Sequence, residues 1–522
     1  MLLVAGDILR RTARRLPRKT AIICGGQRLS FAELDAAANR LAQALIRHGI
    51  GKGDVVAIMS SNLPEYGIAL YGVARAGAVL ANINARSHAS DVARVLALAA
   101  PTTALVEAGL LPVLREARDK SAPHCRIVAF GADAAAASHG AGDDTVTLAE
   151  FEAGASADEP HVPVAEDDPL GLTFTGGTTG VPKGVLVSHR SRGLSALACI
   201  IDFDLGEEDI AAVSTPLFHS AGLYIWFHPA MMTGASTMFL PRWDCQAFMT
   251  EVERHAVTAA VLVPTQLNDL VKHPEFDAGR LRSLRKINHA GMSISPALIE
   301  HVQRVMPWAE LTNNYGCSEA GCLTARRPHH LPDKITSVGR PVFNVELEVR
   351  GPEGGPLPPG QVGEVTTRGD HLMIGYYKDP EATAESYKSG DEWFWTGDLG
   401  YVDEDGFLVL VDRSKDIVVQ GGENIFPLEI ENALYQHPAV LECAVVGAPD
   451  ERLGEVPVAE VVLRAGMRSS EAELIEFCLA RLARHKRPRQ IALVDALPKT
   501  AVGKIQKHKI RDAYWACRER RI

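Results

Sequence analysis

Residues Leu172 to His189 read LTFTGGTTGVPKGVLVSH. An apolar strand runs into Thr175-Gly176-Gly177-Thr178-Thr179-Gly180, and Val181-Pro182-Lys183-Gly184 follows. Glycines let backbone N–H groups come close to an anion, and threonine hydroxyls add donors. Lys183 brings positive charge to the same loop. This is the composition of a phosphate cradle; a Gly/Thr surface loop shares it. It is not a GxxxxGK[ST] loop, because Pro182 precedes the lysine and Gly184 follows it.

Working outward, helix and strand patterns alternate along most of the chain, which predicts an α/β fold. SFAELDAAANRLAQALIRHGI starts with a capping box at Ser30 and Glu33 and stops at Gly49. DVVAIMS and AAVLVP read as short buried strands. The stretch 131–168 reads as a surface excursion. From Ser337 to Asp412, pieces such as VELEVRG, GEVTTRG and GFLVLVD alternate with Gly/Pro turns, predicting a β-rich subdomain. After VDRSKDIVVQGGENIFP, helix–strand alternation resumes. The expected division is a large N-terminal domain over 1–412 and a small α+β domain over 417–522.

Composition narrows the function classes. The chain has 522 residues, 46% hydrophobic and 23% charged, with a formal charge of −10. That length suits two to four domains of ~100–200 residues. The charge leaves no broad basic footprint for nucleic acid. Nine cysteines contain no CxxC pair, which reads as reduced thiols in the cytoplasm. The N-terminus is too short in apolar residues for a signal core. No run reaches the ~18 apolar residues of a spanning helix. Six basic residues between Arg10 and Lys19 read as the solvated face of a helix.

Further segments carry candidate chemistry: PLFHSAG (216–222), NHAGMSIS (288–295), NNYGCSEAG (313–321), WFWTGDLG (393–400), VDRSKD (411–416) and LPKTAVGKIQK (497–507). With the Gly/Thr loop, they resemble, in order, the motifs of the adenylate-forming superfamily, which contains acyl-CoA synthetases and AMP-dependent ligases. Gly176 stands where that family usually has serine.

The resemblance implies an ATP-dependent carboxylate–CoA ligase that forms an acyl-adenylate and then a thioester. It implies that Thr175 to Gly180 and Lys183 hold phosphates. Gly291, Met292 and Ser293 form the adenine turn, Tyr315 packs near adenine with Asn314 and Gly316 beside it, and Ser318 contacts the α-phosphate. Glu319 holds Mg2+, Asp398 binds the ribose hydroxyls, and Arg413 reaches the nucleotide. His219 gates the acyl pocket. Lys504 is the catalytic cation between carboxylate and α-phosphate.

The family's domain rotation implies a hinge over 413–416 at Lys415. It also implies a thiol tunnel beside Gly421 and Gly422, which serve equally as a tight turn. Arg487, in RHKRPRQ, is placed at a CoA phosphate; a basic surface run is the other reading. Leu453 departs from the tryptophan that some ligases have there. His219, Trp226, Thr265, Tyr315, Cys317 and Cys322 are the expected pocket residues. Their mix, without Arg or Lys, favours an aryl or short-to-medium-chain acid. A homodimer follows by analogy only. Two readings stay open beside the ligase: an adenylating enzyme that loads a carrier protein, and a non-catalytic nucleotide or acyl-adenylate sensor.

Overall fold

The computed structural model describes residues 3–135, 145–176, 182–292, 294–388, 392–499 and 505–516. The fold is α/β, as the alternation predicts. A nine-stranded and an eight-stranded sheet, largely parallel, form the N-terminal part. Helices such as Phe31–Arg47, Pro64–Arg75 and His189–Asp202 contribute to one core shared with the inner faces of both sheets. Separate apolar clusters cover the outer faces, through helices Cys245–His255 and Pro296–Val305 on one sheet and Ala89–Ala99 and Leu111–Ser121 on the other. Strands buried on both sides need apolar residues at every position, and Val55–Met59 is buried throughout.

Local rules set the element ends. Ser30 accepts from the Glu33 amide while the Glu33 carboxylate accepts from Ser30, starting the Phe31–Arg47 helix. Four of the six N-terminal basic residues, Arg10, Arg11, Arg14 and Arg15, lie on helix Ala5–Arg15, with Arg10 bonded to Asp7 and Glu159, and Arg18 and Lys19 follow it. In the 131–168 stretch, Val146–Thr147 adds an edge strand and the short helix Leu148–Glu152 follows. The β-rich region is a four-stranded antiparallel sheet: Glu346–Arg350, Gly363–Arg368, Phe394–Val402 and Leu408–Arg413.

The C-terminal region is built on a long hairpin, Val440–Asp450 against Gly454–Leu463, in a five-stranded sheet. Apolar clusters lie on both its faces. Where the two regions meet, Asp412 accepts from the Arg413 and Leu428 amides. Lys507 Nζ lies 2.8 Å from Glu431, and Arg511 donates to the Lys415 carbonyl at 3.0 Å.

Candidate active site

The Gly/Thr loop is flanked by two paired strands. Strand Pro169–Gly176 pairs antiparallel with Pro182–Ser188, setting Thr175 opposite Lys183 and Gly176 opposite Pro182. Gly177, Thr178, Thr179 and Gly180 lie outside the described residues, as do Ser293 and Lys504. Strand Gly375–Tyr376 pairs along the outer edge of this strand pair. The Lys183 ammonium sits 4.9 Å from the centroid of the Tyr376 ring. The Tyr376 hydroxyl donates to Glu319 Oε1 at 2.9 Å. One tyrosine thus joins the loop lysine to the glutamate of NNYGCSEAG. Burial, then the Glu319 charge, pushes the Tyr376 phenol well above its ordinary range, so it remains a donor. Sequence reasoning missed Tyr376; its signal was an aromatic in GYYKDP without an assigned partner.

Glu319 sits in the turn between strands Glu310–Cys317 and Gly321–Arg326. A Cβ on Gly316 would fall 1.8 Å from the Gly321 carbonyl oxygen, so glycine is required for this close approach. Ser318 lies next to Glu319, half-buried. Behind the turn, fully buried Arg192 donates to the His371 carbonyl at 3.0 Å. Burial lowers its pKa to about 10, which leaves it cationic at neutral pH, with Glu319 and Cys317 in its field. Burial and the Glu319 charge push the Cys317 thiol well up, so it stays protonated.

Asp398 is clamped from two sides. The Tyr315 hydroxyl donates to Oδ2 at 2.7 Å and Arg413 Nε donates to Oδ1 at 2.7 Å. Register explains the second contact, because Asp398 and Arg413 pair directly across adjacent strands. Each carboxylate oxygen keeps a further lone pair for a ribose hydroxyl. The Tyr315 hydroxyl thereby orients the Asp398 carboxylate. Asn314 lies buried in the sheet and accepts from Asn288.

A narrow, mostly apolar cleft, partly open to solvent, lies beside this site. His219, Gly291 and Met292 border it beyond the strand ends. Thr215, Val261, Val263 and Ala290 supply one apolar wall, with Ala221 adjoining. Among the described residues, none of those lining it is Asp, Glu, Lys or Arg. His219 Nδ1 accepts from the Ala221 amide at 3.2 Å. The turn that carries His219 is held by buried Asn62, which sequence reasoning also missed. Its Nδ2 donates to the carbonyls of Val213, Thr215 and Leu240, and its Oδ1 accepts from Leu217 N.

Of the six expected pocket residues, His219 lines this cleft, and Trp226, Thr265, Tyr315, Cys317 and Cys322 do not. Trp226 is fully buried, donates to the Ala212 carbonyl at 2.8 Å and packs on Phe203. An indole N–H needs a partner when buried, and this one finds it in the sheet. Cys322 is buried with its thiol on the Thr324 carbonyl, beside Cys199. Thr265 is half-buried at the start of helix Pro264–Val271, next to the wall strand.

On the C-terminal side, Gly421 and Gly422 have φ of +58° and +88° and form the two-residue turn between Val418–Gln420 and Glu423–Ile425. The Leu453 carbonyl accepts from Gly421 N. Lys415 lies in the turn Ser414–Asp416, its pKa lowered by burial and then by Arg413. Arg487 is half-buried, directly after the turn Arg484–Lys486.

Among the described residues no group of three or more His, Cys, Asp and Glu converges as a metal cage. Glu319 offers one carboxylate, with Oε2 not engaged by Tyr376. That donor set fits Mg2+, which typically takes one or two carboxylates and completes its shell with phosphates and water.

The sequence matches the AMP-binding enzyme model over residues 9–377 and the AMP-binding enzyme C-terminal domain model over 429–504. A feruloyl-CoA synthase from Amycolatopsis sp is 36% identical over 505 residues, covering 96% of this chain and 97% of that one. An indoleacetate–CoA ligase from Aromatoleum aromaticum is 35% identical, covering 95% of each. The crystal structure of the anthranilate CoA ligase AuaEII with anthranoyl-AMP superposes with a TM-score of 0.90 at 27% identity, covering 98% of this chain and 97% of that one. The chain belongs to the AMP-binding enzyme family.

Proposed function

We infer that the acid taken by this enzyme is aromatic. The enzyme is an ATP-dependent carboxylate–CoA ligase that works through an acyl-adenylate. In the first half-reaction a carboxylate oxygen attacks the α-phosphorus and pyrophosphate leaves. In the second a thiolate sulfur attacks the acyl carbonyl and AMP leaves. A free carboxylate resists thiol attack because its carbonyl is electron-rich and oxide is a poor leaving group. Adenylation removes both obstacles, so the protein's task is positioning and charge stabilisation.

The observation that carries the aromatic reading is the apolar cleft with His219, Gly291 and Met292 at one end and Val261, Val263 and Ala290 along its wall. A second carboxylate there would be buried without a cation, which disfavours dicarboxylates. Three relatives named for aryl or indolyl acids support the same reading.

In our assignment Lys183, together with the 177–180 loop, binds phosphates, and Asp398, oriented by Tyr315 and Arg413, binds the ribose. Glu319 holds Mg2+, which when bound neutralises phosphate charge. The proposed domain division is 1–412 and 417–522 with the hinge at 413–416, and Arg487 meets a CoA phosphate. The test is a panel of aryl, alkanoic and dicarboxylic acids with ATP and Mg2+, scored for pyrophosphate and AMP with and without CoA. Aryl-dependent pyrophosphate with CoA-dependent AMP turnover is expected. Turnover of alkanoic acids alone would overturn the aromatic assignment. Pyrophosphate release indifferent to CoA would point to a carrier protein as acceptor.

A further inference from the structure

The wall strands Ala259–Leu262 and Lys286–Ala290 run parallel, in the register Val261 to Asn288. Laterally paired residues share one face of a sheet, and residues two apart along a strand share it too. Val261 and Ala290 both line the cleft. Asn288, beside the first and two residues before the second, therefore stands on the cleft face. The opposite face holds Leu262, Ile287 and Leu311 in a separate apolar core. Along the strand Asn288 lies about 6–7 Å deeper than Ala290, away from the ends where His219 and Gly291 stand.

Asn288 is 2% exposed. Its Nδ2 donates to Asn314 Oδ1 at 2.8 Å, and Asn314 pairs with Ala290 in the next strand, on the same face. Its Oδ1 is buried without a hydrogen-bond partner. An unsatisfied buried acceptor costs about 1–3 kcal/mol. The Asn314 contact fixes the amide, so rotation does not relieve it. An apolar side chain would fill this position without the penalty, and a ligand donor would remove it.

We propose that Asn288, held by Asn314, is a specificity subsite that accepts a hydrogen bond from a ring hydroxyl at the far end of an aromatic acid. The subsite rests on the aromatic reading of the cleft and narrows it to hydroxylated rings. A carboxylate between His219 and the nucleotide directs the ring along Val261 and Ala290, and the substituent opposite the carboxylate then reaches the Asn288 amide. A ring carrying only hydrogen there leaves Oδ1 desolvated and unpaired.

The experiment compares 4-hydroxycinnamate with cinnamate, and 4-hydroxybenzoate with benzoate, by acid-dependent pyrophosphate release. The wild-type enzyme is expected to favour the hydroxylated member of at least one pair by about five- to hundredfold in kcat/KM. Asn288→Val is expected to abolish that preference, chiefly by raising kcat/KM for the unsubstituted acid. Calorimetric binding of the same acids to the wild-type protein with ATP analogue gives the preference without relying on a folded variant. Equal kcat/KM within both pairs in the wild type overturns the subsite and leaves the aromatic reading intact. Turnover of octanoate with no turnover of any aryl acid overturns both. An unchanged preference in Asn288→Val overturns the role of this amide.

Discussion

At the scale of single residues, the site depends on polar side chains that hold other side chains. Tyr315 and Arg413 each occupy one oxygen of Asp398. Tyr315→Phe removes one hydrogen bond to a charged group, worth about 1.5–3 kcal/mol. The expected result is ATP affinity about ten- to hundredfold weaker with acid affinity unchanged, measured by titration of each ligand; unchanged ATP affinity would dissociate Tyr315 from ribose binding. Asn62 makes the corresponding arrangement for the His219 turn. Asn62→Ala strands the Leu217 amide and the Thr215 and Leu240 carbonyls, while the Val213 carbonyl keeps the Leu240 amide, so a loss of about 2–4 kcal/mol in unfolding free energy is expected. The KM for acid should rise while that for ATP stays within about twofold; an equal rise in both would mean general loosening instead of a displaced turn. Asn62 and Tyr376, which joins Lys183 to Glu319, were not legible in the sequence. An asparagine in SSNLP and a tyrosine in GYYKDP carry no local signal of a contact made across the fold. By contrast Lys183 stood out through the Gly/Thr composition of its own loop, and Glu319 and Asp398 through the resemblance of their contiguous motifs to those of the family.

At the scale of elements, helix Lys507–Trp515 is fastened to the junction between the two regions. Lys507 is paired with Glu431 at 2.8 Å and lies in the field of Asp412. Burial raises the Asp412 pKa to about 6, opposed by Lys507 and by two backbone donors. A carboxyl whose folded pKa is raised favours the folded state most below its unfolded value near 4. That contribution is lost as pH rises through about 6. Lys507→Met removes the opposing cation, so the folded pKa of Asp412 rises further. The variant is therefore expected to lose about 3–5 kcal/mol at pH 8 and distinctly less at pH 5, where protonation relieves the buried acid. Urea unfolding at the two pH values measures this; equal losses would show that Lys507 contributes packing and not charge. Helix and strand positions were largely legible, since capping boxes and buried apolar runs are local. The pocket walls were not. Val261 and Ala290 come from two separate strands and Thr215 from just beyond the end of a third, and they meet only through sheet register. Trp226 looked like a pocket residue by position, yet its indole N–H is satisfied by the Ala212 carbonyl inside the core.

At the scale of the whole molecule, two half-reactions make conflicting demands on one site. Adenylation needs a cation between carboxylate and α-phosphate, and thioester formation needs room for a thiol at the acyl carbonyl. A C-terminal region that brings Lys504 in for the first step and withdraws it for the second meets both. The described flanks of that lysine are well anchored. Lys499 pairs with Ile505 across a β-bridge and with Glu442 at 2.5 Å, and Lys507 follows in the junction helix. Anything that turns the junction therefore moves the segment carrying Lys504. Lys504→Ala should slow acid-dependent pyrophosphate release by about 10²–10³-fold, the usual loss for one positioned charge-stabilising donor. The same variant, given a preformed acyl-adenylate and CoA, should make thioester at close to the wild-type rate, because the second transition state does not need this cation. Following both partial reactions by rapid quench separates the outcomes. A parallel loss in both would mean that Lys504 stays in place throughout, and that the two half-reactions share one arrangement of the molecule.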